Sequence, residues 1–136
     1  MPKRSNCPIS NVLDYVGDKW SLLILRDLMF FQKSTYSELQ HSDEKMATNI
    51  LSSRLERLEN DGLISKKADV NDKRRKVYRL TETGLCMMPI LLEMIAWSSE
   101  HQPETNTDPE FYQRIKNDRD ALSKDLMAHY RTTNPV

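Results

Sequence analysis

Apolar positions first recur at helical spacing. Ile9, Val12, Leu13 and Val16 follow Pro8, a residue suited to a first helical turn, and Gly17 ends the run. Asp18 is then placed to cap a second helix with Trp20, Leu23, Ile24 and Leu28 facing inward. Leu22, Leu25 and Met29 widen that stripe, which predicts burial on more than one side and makes this helix the hub of the core. Thr35 with Glu38 fits a capping box at the start of a short helix, Tyr36–Gln40. After a polar turn, Leu51, Leu55 and Leu58 share one face of a longer helix that stops at Gly62. Two helices joined by a short turn predict a helix-turn-helix.

The pattern then changes. Leu63 and Ile64, and later Val77 to Leu80, bracket a polar segment containing the turn signal Asn71-Asp72 and read as two antiparallel strands. This hairpin, or wing, covers about residues 63–80. Thr81 and Glu82 open a long helix with Leu85, Met88, Leu92 and Ile95 on one face, and Pro89 predicts a kink within it. Cys86 is expected to pack near its start. Asp108-Pro109 supplies a cap and a first-turn proline for a final helix over about residues 108–130, with Phe111, Ile115, Leu122 and Leu126 along a stripe.

Charge changes the picture. With 20 basic and 20 acidic residues the chain has no net charge, so any field that attracts nucleic acid must be local. It is local: Lys66, Lys67, Lys73, Arg74, Arg75, Lys76 and Arg79 crowd the wing, opposed there by Asp69 and Asp72. Lysine and arginine at a hairpin tip displace counterions from phosphates. An edge hairpin kept soluble by charge would more naturally mix signs. The preceding helix is unusual in the same direction. A solvated face is commonly loaded with Lys and Glu, but Thr48, Asn49, Ser52 and Ser53 are mediocre helix formers with short hydrogen-bonding groups suited to base edges and phosphates. Arg57 lies at the edge of that face. The plainer alternative is a polar surface helix with a serine cluster. The candidate DNA-binding residues are therefore Thr48, Asn49, Ser52, Ser53, Arg57, Lys73, Arg74, Arg75 and Lys76.

Other classes find less support. Hydrophobic residues at 38% and charged residues at 29% are ordinary globular composition, and three glycines argue against a loop-rich β protein. The opening residues lack a secretory apolar run and no apolar stretch is long enough to span a bilayer, so a cytoplasmic protein with no membrane partner is expected. Cys7 and Cys86 form neither a disulfide framework nor a metal pattern, and His41, His101 and His129 are scattered, so neither metal nor cofactor is expected. There is no nucleophile–base set or phosphate loop to suggest an enzyme. A winged helix that binds protein would show an apolar exposed helix face and an uncharged wing. Trp20, Trp97 and the seven methionines could line a pocket for a small-molecule effector, but their helical spacing suits plain core better.

Cys7-Pro8, Gly17-Asp18-Lys19-Trp20, Tyr36-Ser37-Glu38-Leu39, Leu51 to Gly62, and Tyr78-Arg79-Leu80-Thr81-Glu82-Thr83-Gly84 come in the same order as in the HxlR family. This is a branch of the MarR-like winged helix-turn-helix regulators, and the resemblance runs from about Cys7 to Trp97, including Pro89. It implies a mainly α fold with a small β-hairpin, residues 1–136 forming a single winged helix-turn-helix domain with N- and C-terminal dimerisation helices. It also implies a bacterial, cytoplasmic transcriptional regulator that binds a pseudo-palindromic operator on double-stranded DNA as a homodimer. Family dimers are built largely from the first and last helices, which makes Phe111, Ile115, Leu122 and Leu126 the candidate dimer interface. Several relatives sense oxidants or electrophiles through a cysteine at the place of Cys7, which makes Cys7 the candidate redox sensor. Nearby Lys3 and Arg4 provide a positive field suited to a reactive thiol. Its alternative role is to position the N-terminal arm. The chain departs from the family in a longer segment after Trp97 and a wing richer in Lys and Arg. The competing function is a winged-helix protein-interaction module without specific DNA binding.

Overall fold

In the computed structural model, which describes residues 3–135, the first helix, α1 (Pro8–Val16), begins at its proline and ends at Gly17. The Asp18 carboxylate accepts from the Trp20 and Ser21 amides at 3.0 and 3.1 Å and so starts α2 (Ser21–Phe30). Ile24, Leu25 and Leu28 of α2 are all at most 2% exposed, which makes this helix the centre of the core as its wide apolar stripe predicts. The chain turns out of α2 through Gln32, a non-glycine residue at φ 53. The capping box of α3 (Tyr36–Gln40) is formed: the Thr35 hydroxyl accepts from the Glu38 amide at 3.2 Å, and the Glu38 carboxylate accepts from the Thr35 amide at 3.1 Å. α4 (Thr48–Asn60) buries Leu51, Leu55 and Leu58. It gives way at Gly62, whose φ of +79 is the left-handed region that favours glycine.

β1 (Ile64–Ala68) and β2 (Lys76–Leu80) pair antiparallel, with Ile64 opposite Leu80 and Ala68 opposite Lys76. The hairpin is anchored at its base, where Ile64 and Leu80 are buried, while most of its outer part stands in solvent. It is also tied to the entrance of α3, since the Tyr78 amide donates to the Ser34 carbonyl at 2.7 Å. Helix-turn-helix and wing are thereby joined into one piece.

Two compact units meet between Gly84 and Leu85. The short helix α5 (Glu82–Leu85) lies at this boundary, and the second unit holds α6 (Met88–His101), α7 (Pro109–Asn117) and α8 (Arg119–Thr133), each packed on the other two. Two expectations are corrected here. The long helix is not kinked at Pro89. It breaks between Leu85 and Met88, and Pro89 sits in the first turn of α6, where a missing N–H breaks no helical hydrogen bond. The final helix is two helices, divided at Asp118 (φ −151, ψ 43). That break lets α7 and α8 fold back. Ile115 and Leu122 end up 0% and 3% exposed within the chain, so they offer no surface to a second copy, and Phe111 and Leu126 are half-buried. Among the described residues, no helix is long and apolar enough to cross a membrane.

Candidate nucleic-acid interface

α4 starts at Ala47, a cap residue with no side-chain acceptor, and its first turn has no acidic residue. By contrast, Thr35 and Asp108 cap α3 and α7 with side-chain oxygens. The positive end of the α4 dipole is therefore left uncompensated by its own first turn, an arrangement that favours an approaching anion. Thr48, Asn49, Ser52 and Ser53 are all exposed beside it. Tyr36 of α3 fixes this face: its hydroxyl lies 3.0 Å from both the Thr48 carbonyl and the Ser52 hydroxyl. The phenolic proton goes to the carbonyl, so Ser52 donates to Tyr36 and keeps lone pairs for an outside donor such as a base amino group.

The turn leading into α4 is held from α2 and from the segment just after it. Arg26 reaches Glu44 with two hydrogen bonds of 2.8 and 2.9 Å, and Lys33 donates to the His41 carbonyl at 2.7 Å. Both cations also bind Asp27, which is only 1% exposed, so a buried carboxylate organises the groups that grip the turn.

Arg57 departs from its expected role. Its guanidinium turns away from the polar face and donates to the main-chain carbonyl of Asp14 in α1 at 2.6 Å. Arg54, absent from the sequence-based candidates, behaves alike: its Nε donates to Asp18 at 2.8 Å and its terminal nitrogen to the Ser53 hydroxyl at 3.1 Å. Burial works to raise the Asp18 pKa, but bonds from the Ser21 hydroxyl, Arg54 and the Trp20 and Ser21 amides prevail and hold it at about 2. The three-residue spacing of Arg54 and Arg57 put them on one helical flank and was the available signal.

In the wing, Arg75 is spent on local structure. Its Nε donates to the Asp69 carboxylate at 2.8 Å, the other carboxylate oxygen accepts from the Asn71 amide at 3.0 Å, and Asp69 is 8% exposed. The Asn71 amide and the Arg75 guanidinium together keep that carboxyl below its ordinary pKa. Arg74 is different: its side chain is 94% exposed, with a long 3.5 Å contact to Asp72. Lys73 and Lys76 are exposed as well. A groove runs between the start of α3, at Thr35 to Ser37, and the wing cations Arg74, Arg75 and Lys76. Sequence reasoning missed the α3 side of it, because Thr35 was already accounted for as a cap.

Cys7 precedes α1 and is exposed, its amide donating to the Ser5 hydroxyl at 3.2 Å. Arg4 is committed elsewhere, to the Asp14 carboxylate at 2.8 Å. Cys86, expected to pack, is exposed at the break before α6. Among the described residues, no cluster of His, Cys, Asp and Glu could hold a metal ion.

A short-turned helix pair whose second helix leads straight into a cationic hairpin defines the winged helix-turn-helix class. The model of the HxlR-like helix-turn-helix family matches residues 15–106, and the chain belongs to that family of transcriptional regulators. It is 29% identical over 96 residues to the HTH-type transcriptional regulator YdeP of Bacillus subtilis, covering 71% of this chain and 74% of that one. It is 35% identical over 88 residues to the HTH-type transcriptional regulator sll1512 of Synechocystis, spanning 65% of this chain and 64% of the relative's length. Among solved structures it resembles the redox regulator HypR in its oxidized form, with 28% identity, a TM-score of 0.60, and coverage of 72% of this chain and 100% of HypR.

Proposed function

We propose that the chain is a cytoplasmic, sequence-specific DNA-binding regulator that acts as a homodimer on a pseudo-palindromic operator. The observation that carries this reading is the uncapped start of α4, with Asn49, Ser52 and Ser53 exposed, in the same unit as a wing that exposes Lys73, Arg74 and Lys76. The helix offers short polar groups to base edges, and the wing offers charge to phosphates. Two copies would place their α4 helices in successive major grooves, on the order of 34 Å apart.

In the second unit the dimer surface is better drawn on α6 than on the stripe of α7 and α8, and in the first unit α1 offers an apolar face of its own. Ile9 and Leu13 on α1 are 72% and 50% exposed, and Met94 and Trp97 on α6 are 50% and 60% exposed, whereas Ile115 and Leu122 are buried in the chain. Exposed apolar faces of this kind mark association surfaces.

Selection of duplexes from a random library by the wild-type chain tests both parts. Enrichment of a motif with two-fold symmetry is the expected result. A motif without symmetry would remove the homodimer. Failure to enrich any motif would leave the protein-binding winged helix as the better description.

Redox input through Cys7 is the proposed signal, supported by its exposure ahead of α1 and by similarity to a protein described as a redox regulator. Diamide should release DNA from the wild type and not from Cys7→Ser. Equal release from both would end the thiol-switch idea.

A further inference from the structure

α1 has no basic residue in its last turn, so its final carbonyls, which carry the negative end of the helix dipole, meet no cation of their own. The cation that serves them comes from the recognition helix: Arg57 of α4 donates to the Asp14 carbonyl at 2.6 Å. On the same flank of α4, Arg54 holds the Asp18 carboxylate at 2.8 Å. That carboxylate also fixes the start of α2, accepting from the Ser21 hydroxyl at 2.6 Å and from two amides. The recognition helix thus grips the end of α1 and the start of α2 at two directional points. The Asp14 side chain carries the connection outward, because its carboxylate binds Arg4 of the N-terminal arm at 2.8 Å.

Two such points add direction to what the core side of α4 supplies. Leu51, Leu55 and Leu58 seat the helix against the core and choose its buried face, while directional hydrogen bonds refine the rotation about the helix axis. One guanidinium N–H on a fixed carbonyl and another on a fixed carboxylate, together with the Tyr36 hydroxyl at the first turn, set that rotation. They therefore help set which way Asn49, Ser52 and Ser53 point.

We propose that Arg54 and Arg57 are positioning residues for DNA reading: they set the orientation of the recognition helix from inside the protein and do not contact DNA themselves. This rests on the DNA-reading function proposed above. Asp18 is part of the same device, as the anchor for Arg54. The coupling is between side chains and can be measured as such.

The test uses the full chain and a duplex enriched by the wild type from a random library, with poly(dI-dC) as non-specific probe. Arg54→Gln and Arg57→Gln should each lose about tenfold or more on the enriched duplex, and little on poly(dI-dC), with an unchanged slope of log affinity against log salt. Asp18→Asn should reproduce the loss of Arg54→Gln although it removes a negative charge, and the double variant should be no worse than either single one. If a glutamine variant fails to fold by circular dichroism, Arg54→Lys takes its place. It keeps the charge and loses the two fixed N–H donors that reach Asp18 and Ser53, and its ratio of specific to non-specific affinity should still fall. A slope lowered by about one unit for each arginine would make them phosphate ligands and overturn the proposal. So would an unchanged affinity ratio, which would leave them with a purely structural role. Should the wild type enrich no duplex, the DNA-reading function falls and this inference with it. Enrichment by the wild type with unaffected variants overturns this inference alone.

Discussion

Arg75 folds its guanidinium back onto the Asp69 carboxylate, while its neighbour Arg74 points into solvent. Adjacent residues of the same type therefore do different work, one shaping the wing tip and the other carrying exposed charge outward. Arg74→Gln should lower the slope of log affinity against log salt by about one unit on any duplex, because one fewer counterion is released. Arg75→Gln should change that slope less and should instead raise amide exchange at Asn71, whose N–H rests on Asp69 at 3.0 Å. Titrations between about 50 and 200 mM salt would separate the two. A full-unit change for Arg75→Gln and none for Arg74→Gln would reverse these assignments.

That difference marks where sequence reading stops. The Thr35–Glu38 capping box and the leucine stripe of α4 were legible because both are local: a three-residue spacing and a helical period fix them. The wing was legible as a surplus of cations, but a count cannot say which arginine Asp69 takes. The tie from Arg57 to α1 was not legible because its partner is a main-chain carbonyl 43 residues away, an atom every residue possesses and no pattern reveals. Pro89 was ambiguous because proline suits both a kink and a first helical turn. The stripe through Ile115 and Leu122 reads the same whether it meets its own chain or a second copy. The break at Asp118 brings Ile115 and Leu122 under cover within the chain.

Acid should weaken the protein through Asp18. Its carboxyl is held at about 2 in the folded chain, against 3.8 for an ordinary aspartate. A depressed folded-state pKa contributes stability that is fully present above about pH 4 and is lost as the pH falls from there toward 2. Discounted for solvent screening of a partly exposed group, the contribution is about 1–2 kcal/mol. Urea unfolding of the wild type and of Asp18→Asn should differ by roughly that amount near neutral pH and converge near pH 2. A gap that stays constant down to pH 2 would show that the carboxylate charge is not what matters.

Gln32 and Lys45 carry side chains at φ 53 and 57, where a Cβ crowds the following carbonyl. Glycine removes that crowding but gives the unfolded chain more freedom, so the net gain is small. Gln32→Gly and Lys45→Gly should each stabilise by about 0.5–1 kcal/mol, a rise in Tm of a few degrees. Gly62→Ala is the opposite experiment, since Gly62 has a φ of +79 at the end of α4 and nothing within 4 Å of the place a methyl group would take. It should cost about 1 kcal/mol from backbone conformation alone. Thermal melts of the three variants would check the signs, and a gain for Gly62→Ala would contradict the conformational argument.

Gly84 is constrained by space rather than by φ. A Cβ there would fall inside the Leu63 main-chain carbonyl, and that carbonyl is already an acceptor for the Thr81 amide at 3.1 Å. Thr81 adds two more ties, its hydroxyl donating to the Gly62 carbonyl at 2.6 Å and accepting from the Gly84 amide at 3.1 Å. Residues 62, 63, 81 and 84 together close the base of the wing where α4 runs into β1 and β2 runs into α5. A methyl at position 84 meets backbone, which cannot rotate aside, so Gly84→Ala should destabilise by about 2–3 kcal/mol. Thr81→Val removes the hydroxyl ties at nearly constant volume and should cost about 1–2 kcal/mol. Both variants keep every charge in the wing, so if the base of the hairpin sets its placement, affinity for duplex DNA should fall while the salt slope holds steady. Wild-type stability in Gly84→Ala would mean that the close approach of α5 to Leu63 does not exist in solution.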